Sequence, residues 1–342
     1  DQIDSGSPYP IKGAWIQTAN ILGGQAARAR FHYEALKKLD FVVVVDLFHN
    51  PTSMALADIV LPAATFAEKD SFRSWWVPLG VMHKTIQVGD CKSDWEINIE
   101  MANRLNPDCM YKNIKELIND RLSVANFTFH EMVAQGSQAM PPEGHSSRPY
   151  YRYEKGLLRH DGKPGFTTDT GRIELYSKAF DSWGIDPLPF YREPAQGPVS
   201  TPELYEKYPL IMITGARSHM FFHSEHRMIP WLREKNPEPY VEVHPDTAEK
   251  FGVYDGEWIY LENDMGRVKR KVRISLRVHP RMIHTLHSWW KPELKGSEPD
   301  LFGVWDYQIN QIIPGPQDSA SGFGGGQYKT TLCTLSKINE QE

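Results

Sequence analysis

Cysteine is scarce in this chain: Cys91, Cys109 and Cys333 are the only three in 342 residues. They are far apart, odd in number and form no CxxC pair. That leaves no motif for an iron–sulfur cluster or a structural zinc site, and it argues against a disulfide framework. No GxGxxG occurs, so a nicotinamide-dinucleotide fingerprint is missing. No apolar run approaches the length of a membrane span, so no membrane insertion by this chain is expected. There is no internal repeat and no low-complexity tract. Net charge is −5, without the basic excess that nucleic acid or an anionic membrane surface would call for. The opening DQIDSGSPYP lacks a basic n-region, an apolar h-region and an initiator Met. It reads as no signal peptide and as a chain cut from something longer. The compartment, cytoplasmic or periplasmic, is left open.

What is present is a globular composition, 40% hydrophobic and 24% charged, in a chain long enough for two domains. The most informative stretch is DFVVVVDLFHNPTSMALADIVLPAATFAEKD, residues 40–70. Val42 to Val45 is a short continuous apolar run, the pattern of a strand buried on both faces in a parallel sheet. The run ends on Asp46. Ligands of open α/β sheets bind beyond the carboxyl ends of strands, so Asp46 is placed to read a nucleotide hydroxyl or ring N–H. The plainer alternative is a loop-capping carboxylate. Upstream, GAWIQT (13–18) has a strand pattern. AARARFHYEALKKL (26–39) is rich in helix formers, with Phe31, Leu36 and Leu39 as its apolar stripe. Together these predict a β–α–β unit. Its first turn carries Asn20 and the pair Gly23–Gly24, which lets backbone N–H groups approach a ligand closely.

Residues 57–62 read as a further short buried strand stopped by Pro62. Ser93 and Glu96 have capping-box spacing ahead of a helix, with Trp95, Ile99, Ala102 and Leu105 at helical intervals. Another helix covers 113–122. Composition shifts at Gln135. PPEGHSSRP (141–149) is a loop, FTTDTGRIELYS (166–177) a turn followed by an alternating strand, and 186–202 a Pro-rich linker. From Tyr208 the texture is β: PLIMITGA, YVEVH, EWIYLEN, RVKRKVRIS and RMIHTLH are strands, with turns at Asp255–Gly256 and Asp264–Gly266. One helix intervenes, opening on Pro245 and ending on Gly252. Many strands with tight turns suggest a small barrel. The fold class is therefore α/β plus all-β. The predicted division is an α/β domain over 1–134, a connecting segment over 135–202 and a β-barrel domain over 203–342. His219, His223 and His226 have the i, i+4, i+7 spacing of a helical metal site, but no HExxH or Cys partner accompanies them, and no metal site is expected.

Four blocks in order carry a family resemblance: NPT with ADIVLPAATFAEKD and SDWEINIEMANRL; FTTDTGRIELYS with GIDPLPFYREP; ITGARSHMFFHSEHRMIPWL with PEPYVEVHPDTAEKFGVYDGEWIYLEND and MGRVKRKVRIS; and HSWWKPE with DSASGFGGGQYKTTLCTL. The chain resembles the C-terminal half of molybdopterin-guanine-dinucleotide oxidoreductases of the dimethyl-sulfoxide-reductase family. HSEHRMIPWL and HSWWKPE look most like its polysulfide/thiosulfate-reductase and acetylene-hydratase-like branches. The resemblance implies a Rossmann-like dinucleotide-binding α/β domain followed by a double-psi (aspartate-decarboxylase-like) β-barrel. It implies a bis-(molybdopterin guanine dinucleotide) cofactor with molybdenum or tungsten, two-electron or oxygen-atom transfer, and a small-molecule substrate. The same scaffold in a hydratase or transhydroxylase is the first alternative, and a non-enzymatic guanine-nucleotide-binding module the second. The implied partners are the missing N-terminal half, which would hold any iron–sulfur cluster, and an iron–sulfur electron-transfer subunit.

Residue by residue, the resemblance assigns the cofactor as follows. Asn20 stands in the family's Gly-x-Asn-Pro turn, with Ile21 in place of Pro. Asp46 accepts hydrogen bonds from guanine or ribose, and Thr52 adds a hydroxyl for phosphate or ribose. Thr214, Gly215 and Arg217 follow a barrel strand and offer a hydroxyl, N–H groups and a planar fork. His219 or His223 hydrogen-bonds the pterin, with Ser224 and Arg227 beside them. Asn310 contacts the pterin edge. Tyr328 and Lys329 belong to a tail that folds back over the cofactor, helped by Gly322 and Gly324–Gly326. Trp289 and Trp290 read equally as core or as funnel wall. No residue takes the catalytic metal-ligand role, and the three cysteines do not sit in matching places.

Overall fold

The computed structural model describes residues 2–25, 27–73, 78–139, 150–191, 193–216, 218–315 and 326–339. The predicted loop 141–149, Arg217 and Gly322, Gly324 and Gly325 lie outside them. Three strands form the first sheet, in the order β1 (Gly13–Gln17), β2 (Phe41–Asp46) and β3 (Ile59–Pro62). The four valines of β2 are all buried, as a continuous apolar run requires. β3 is not the buried strand expected: Ile59 is 45% exposed and no residue of β3 is buried. Its place at the edge of the sheet explains this. The helix between β1 and β2 is shorter than expected, Ala29–Leu36. It begins after Arg28, whose left-handed backbone (φ 54) cannot continue a helix. Its buried positions are Ala29 and Ala35; Phe31 is exposed, and Leu36 and Leu39 are half-buried.

The chain divides into two compact units: Asp1–Val44, Phe48–Val60 and Phe190–Glu342 in one, Val45–Leu47 and Leu61–Pro189 in the other. In the second unit β4 (Ser71–Arg73), β5 (Leu79–Met82) and β6 (Gln138–Ala139) pair antiparallel. Leu79 and Val81 pack there with Ile99, Leu117, Ile118 and Met132 from three helices. The helix Asp94–Leu105 starts as predicted, with Ser93 Oγ accepting from Glu96 N (3.2 Å) and Glu96 Oε2 accepting from Ser93 N (2.9 Å). Its expected stripe is only partly right. Ile97 and Ile99 are buried, whereas Trp95 and Leu105 are exposed, because the core meets this helix only around Ile99. Over 166–177 the turn forms, with Phe166 N donating to Gly171 O (2.8 Å), but the strand does not. Ile173 and Leu175 are 68% and 75% exposed, and among the described residues no neighbouring strand takes up their alternation.

In the first unit six strands close a barrel in the order β10–β8–β11–β7–β12–β9. They are β7 (Leu210–Ala216), β8 (Tyr240–Val243), β9 (Trp258–Asn263), β10 (Gly266–Ile274), β11 (Met282–Leu286) and β12 (Thr331–Lys337). β7 pairs parallel with β11, and β8 parallel with β10; the other pairings are antiparallel. The inward positions Met212, Val241, Ile259, Leu261, Val268 and Ile283 make the core. Five of these strands match the sequence expectation. β12, which closes the ring, was not foreseen, although TTLCTLS has the β-branched alternation of a strand. The helix Pro245–Phe251 ends at Gly252 in the left-handed conformation (φ 65), as its sequence predicts.

Candidate functional site

The first unit ties one loop to many partners. After β1, residues Ile21–Gln25 form a single π-helical turn. Asn20 is buried, and its Oδ1 accepts from Gly23 N (2.9 Å) and from Thr52 Oγ1 (2.8 Å). The Thr52 hydroxyl accepts in turn from Leu22 N (3.0 Å). Thr52 is positioned by the helix Pro51–Leu56, capped by Asn50, whose Oδ1 accepts from the N–H groups of Thr52 and Ser53. Gly23 is required here, because a Cβ would lie 2.2 Å from the Asn20 amide nitrogen. Thus the side-chain oxygens of Asn20 and Thr52 are engaged in shaping the loop.

The barrel holds the same loop from the other side. Gln308 Nε2 donates to Leu22 O (3.3 Å), Asn310 Nδ2 and Ser288 Oγ each to Gly24 O (3.4 Å), and Tyr328 OH to Gln25 O (3.3 Å). Of these, Asn310 and Tyr328 were singled out in the sequence. Gln308 and Ser288 were missed; both are fully buried polar residues, and burial of that kind leaves no mark in local sequence. Thr214 is fixed to the returning tail, its N and Oγ1 both donating to Tyr328 O (3.0 and 2.9 Å). Gly215, His219 and Lys329 are exposed at this rim.

The histidine segment is not a helix. His223 (φ 53) and His226 (φ 69) take left-handed backbone, so 219–226 runs as successive turns and the i, i+4, i+7 spacing defines no face. Instead His223 meets His287, Nδ1 to Nε2 at 3.1 Å. Arg227 is buried beneath them. Its Nη1 donates to His223 O (2.7 Å) and its Nη2 reaches His287 O (3.4 Å), while the guanidinium lies 4.9 Å from the ring centroids of Phe221 and Trp289. Trp289 and Trp290 are buried core aromatics. Among the described residues no group of three or more His, Cys, Asp or Glu is arranged to hold a metal ion.

The remaining candidates lie in the second unit. Asp46 ends β2, half-buried, with Oδ1 accepting from Leu47 N (2.7 Å). Glu68 accepts from Thr65 N and Oγ1, Val88 N and the Cys91 thiol, and these bonds, led by the Thr65 hydroxyl, hold its carboxyl at about 2. Cys91 is thereby engaged, Cys109 is half-buried and Cys333 lies in the barrel core, its thiol pushed up by burial.

The donor set fits a polyanionic dinucleotide. Arg227 and Arg270 are fully buried, and neither has a carboxylate partner among the described residues. Burial lowers both to about 9, so both stay charged at neutral pH. The Arg227 Nε has no hydrogen-bond partner. Arg270 is spent inside the barrel on Thr285 Oγ1 and the carbonyls of Lys269, Tyr307 and Leu286, so Arg227, with its unpartnered Nε, is the buried cation that suits an anionic group.

These features define a closed barrel bonded to a glycine turn, with a buried arginine cation beside it. Comparison with known proteins is specific. Residues 6–104 match the molybdopterin oxidoreductase family model, and residues 210–331 match the molydopterin dinucleotide binding domain. The chain is 31% identical to dopamine dehydroxylase of Eggerthella lenta, over 94% of this chain and 38% of that protein. It is 33% identical to acetylene hydratase of Syntrophotalea acetylenica, over 84% of this chain and 38% of that protein. The solved structure of acetylene hydratase from Pelobacter acetylenicus superposes with a TM-score of 0.86 at 29% identity, over 98% of this chain and 46% of that one. The chain belongs to the molybdopterin oxidoreductases, as a homologue of members of the dimethyl-sulfoxide-reductase family. It spans less than two fifths of the length of these curated relatives.

Proposed function

We propose that this chain is the cofactor-gripping portion of a molybdenum or tungsten enzyme that carries bis-(molybdopterin guanine dinucleotide). The observation that carries the reading is the loop Asn20–Gln25, bonded to Thr52 on one side and to Gln308, Asn310, Ser288 and Tyr328 on the other. The finer architecture is a Rossmann-like layer over 1–134, a connecting segment over 135–202 and a double-psi barrel over 203–342. The interleaved parallel pairs β7–β11 and β8–β10 support the last of these. When bound, the cofactor supplies two-electron or oxygen-atom transfer at the metal. The chain's own residues bind and orient. Asp46 pairs with the guanine N1–H and exocyclic amine. Gly215, His219, His223 and Lys329 face the pterin and its phosphates. Asn20, Thr52, Thr214, Arg227, Asn310 and Tyr328 shape the surface that receives them. The substrate is a small molecule, and electrons pass through an iron–sulfur subunit.

A second reading is a hydratase or transhydroxylase on the same scaffold, which the likeness to acetylene hydratase favours. Turnover without any added electron donor or acceptor would select it. The main test is the full-length Asp46→Ala enzyme, assayed for metal and acid-released guanine per polypeptide. Loss of hydrogen bonds to a charged group costs ~1.5 kcal/mol or more, so retention should weaken about tenfold. Unchanged metal and guanine contents would remove Asp46 from the site. A wild-type enzyme without pterin would overturn the reading as a whole.

A further inference from the structure

We propose that residues 173–176 are a docking edge. They take an extended segment of the same polypeptide, from outside these 342 residues, as the neighbour that GRIELYS lacks here. The occupant rests on the function proposed above, which makes the chain one portion of a longer enzyme; the bare edge itself does not.

The stretch is anchored at both ends. Before it, Phe166 N donates to Gly171 O (2.8 Å) and Gly171 N to Thr168 O (3.0 Å), which closes a turn. Thr168 Oγ1 donates to Arg172 O (2.6 Å). After it, Ser177 N donates to Pro187 O (2.8 Å), and Ser177 Oγ accepts from Phe180 N (3.2 Å) to cap the helix Lys178–Ser182. Between these anchors the alternation has been sorted. The Glu174 carboxylate folds back onto the turn, where Oε1 accepts from Thr170 N (3.1 Å) and Thr170 Oγ1 (2.9 Å). Its neighbours Ile173 and Leu175 are left 68% and 75% exposed. The polar side chain is spent inside the segment and the apolar ones face water, the reverse of what a solvated flank requires.

The backbone of the same four residues is bare. Among the described residues no N–H or C=O group of residues 173–176 has a hydrogen-bond partner. Water satisfies bare peptide groups, and a single exposed Leu or Ile is ordinary. Here the two coincide: unpaired peptide groups lie beside two outward apolar side chains, in a sequence with the alternation of a strand. That is the arrangement to which an extended chain adds, bonding the peptide groups and covering the side chains in one step.

Length argues for the occupant. The relatives at 31% and 33% identity carry more than three fifths of their length outside the matched stretch. The solved relative holds the same fold within a chain of which this one covers 46%. An enzyme built that way has ample polypeptide to lay against the edge. Truncating Ile173 therefore removes little contact in the 342-residue chain, whereas the same change in the full-length enzyme removes a packed side chain. A second copy of this chain is the rival occupant, and concentration dependence tells the two apart.

The test is amide hydrogen exchange of the full-length enzyme, read by mass spectrometry, with polypeptide mass and pterin content measured on the same sample. The amides of residues 173–176 should exchange at least ~100-fold more slowly than in unstructured chain. Exchange at the unstructured rate, in a longer polypeptide that holds pterin, would overturn the docking edge and leave the proposed function standing. Slow exchange in a longer polypeptide free of pterin would support the edge and overturn the function, so the two fail separately. Slow exchange that disappears on dilution, together with a dimer, would place a second copy there and overturn the occupant. A natural polypeptide of only these 342 residues would overturn it outright. In full-length Leu175→Asp the four amides should return to near the unstructured rate while exchange in the barrel strands is unchanged. Protection that survives this substitution would overturn the part played by the apolar flank.

Discussion

The barrel strands and the segment 150–191 are written in similar letters and fold very differently. Both alternate apolar and polar residues, RVKRKVRIS in β10 and GRIELYS in the segment. In β10, Val268, Arg270 and Val272 are buried because β8 and β9 lie on either side. Within 150–191 only Gly156 is buried, and Ile173, Leu175 and Trp183 are exposed. Alternation specifies which face of a strand is apolar; it does not supply the neighbours whose hydrogen bonds make the strand.

The sharpest way to break that contrast is to truncate the same residue type in both places. Ile259→Ala in the barrel core, where the side chain is 0% exposed, should cost about 2–5 kcal/mol in urea unfolding. A cost below about 1 kcal/mol would mean that the barrel is loosely packed. Gly23→Ala should come next, at about 1–3 kcal/mol, because its Cβ meets the hydrogen-bonded Asn20 amide. A neutral result would show that Asn20 can swing away and that its bonds to Gly23 and Thr52 do not set the loop. A third effect is confined to acid. Glu68 titrates near 2 in the fold against an ordinary 4.5. A lowered folded value contributes stability above pH 4.5 that is lost as pH falls toward 2. Wild type minus Glu68→Gln unfolding midpoints should therefore shrink between pH 5 and 2, and a constant difference would refute the assignment. Smallest of all, Ile173→Ala should change stability by less than about 0.5 kcal/mol. A large loss would show that the segment has a partner surface in the protein tested.

Legibility in the sequence followed the range of the interaction. The valine run of β2, the Ser93–Glu96 capping box and the Pro245–Gly252 helix were readable because each is fixed by residues within a turn or strand of itself. Asn20, Thr52, Asn310 and Tyr328 were visible as members of a family pattern. Their mutual bonding was not, since Thr52 lies 32 residues from Asn20 and Asn310 lies 286 from Gly24. The spacing of His219, His223 and His226 suggested a helix that left-handed backbone forbids, and it hid the actual partner, His287. Buried polar residues such as Gln308 and Arg270 carry no local signature, because their meaning lies in carbonyls contributed by other elements.

The bond from Gln308 to Leu22 O joins residues 286 positions apart. At a synthesis rate of ~5–20 residues per second, the glycine turn leaves the ribosome ~15–60 s before its clamp exists. Throughout that interval the Leu22 carbonyl lacks its Gln308 partner. Truncations that remove Gln308 should therefore be felt at residue 22.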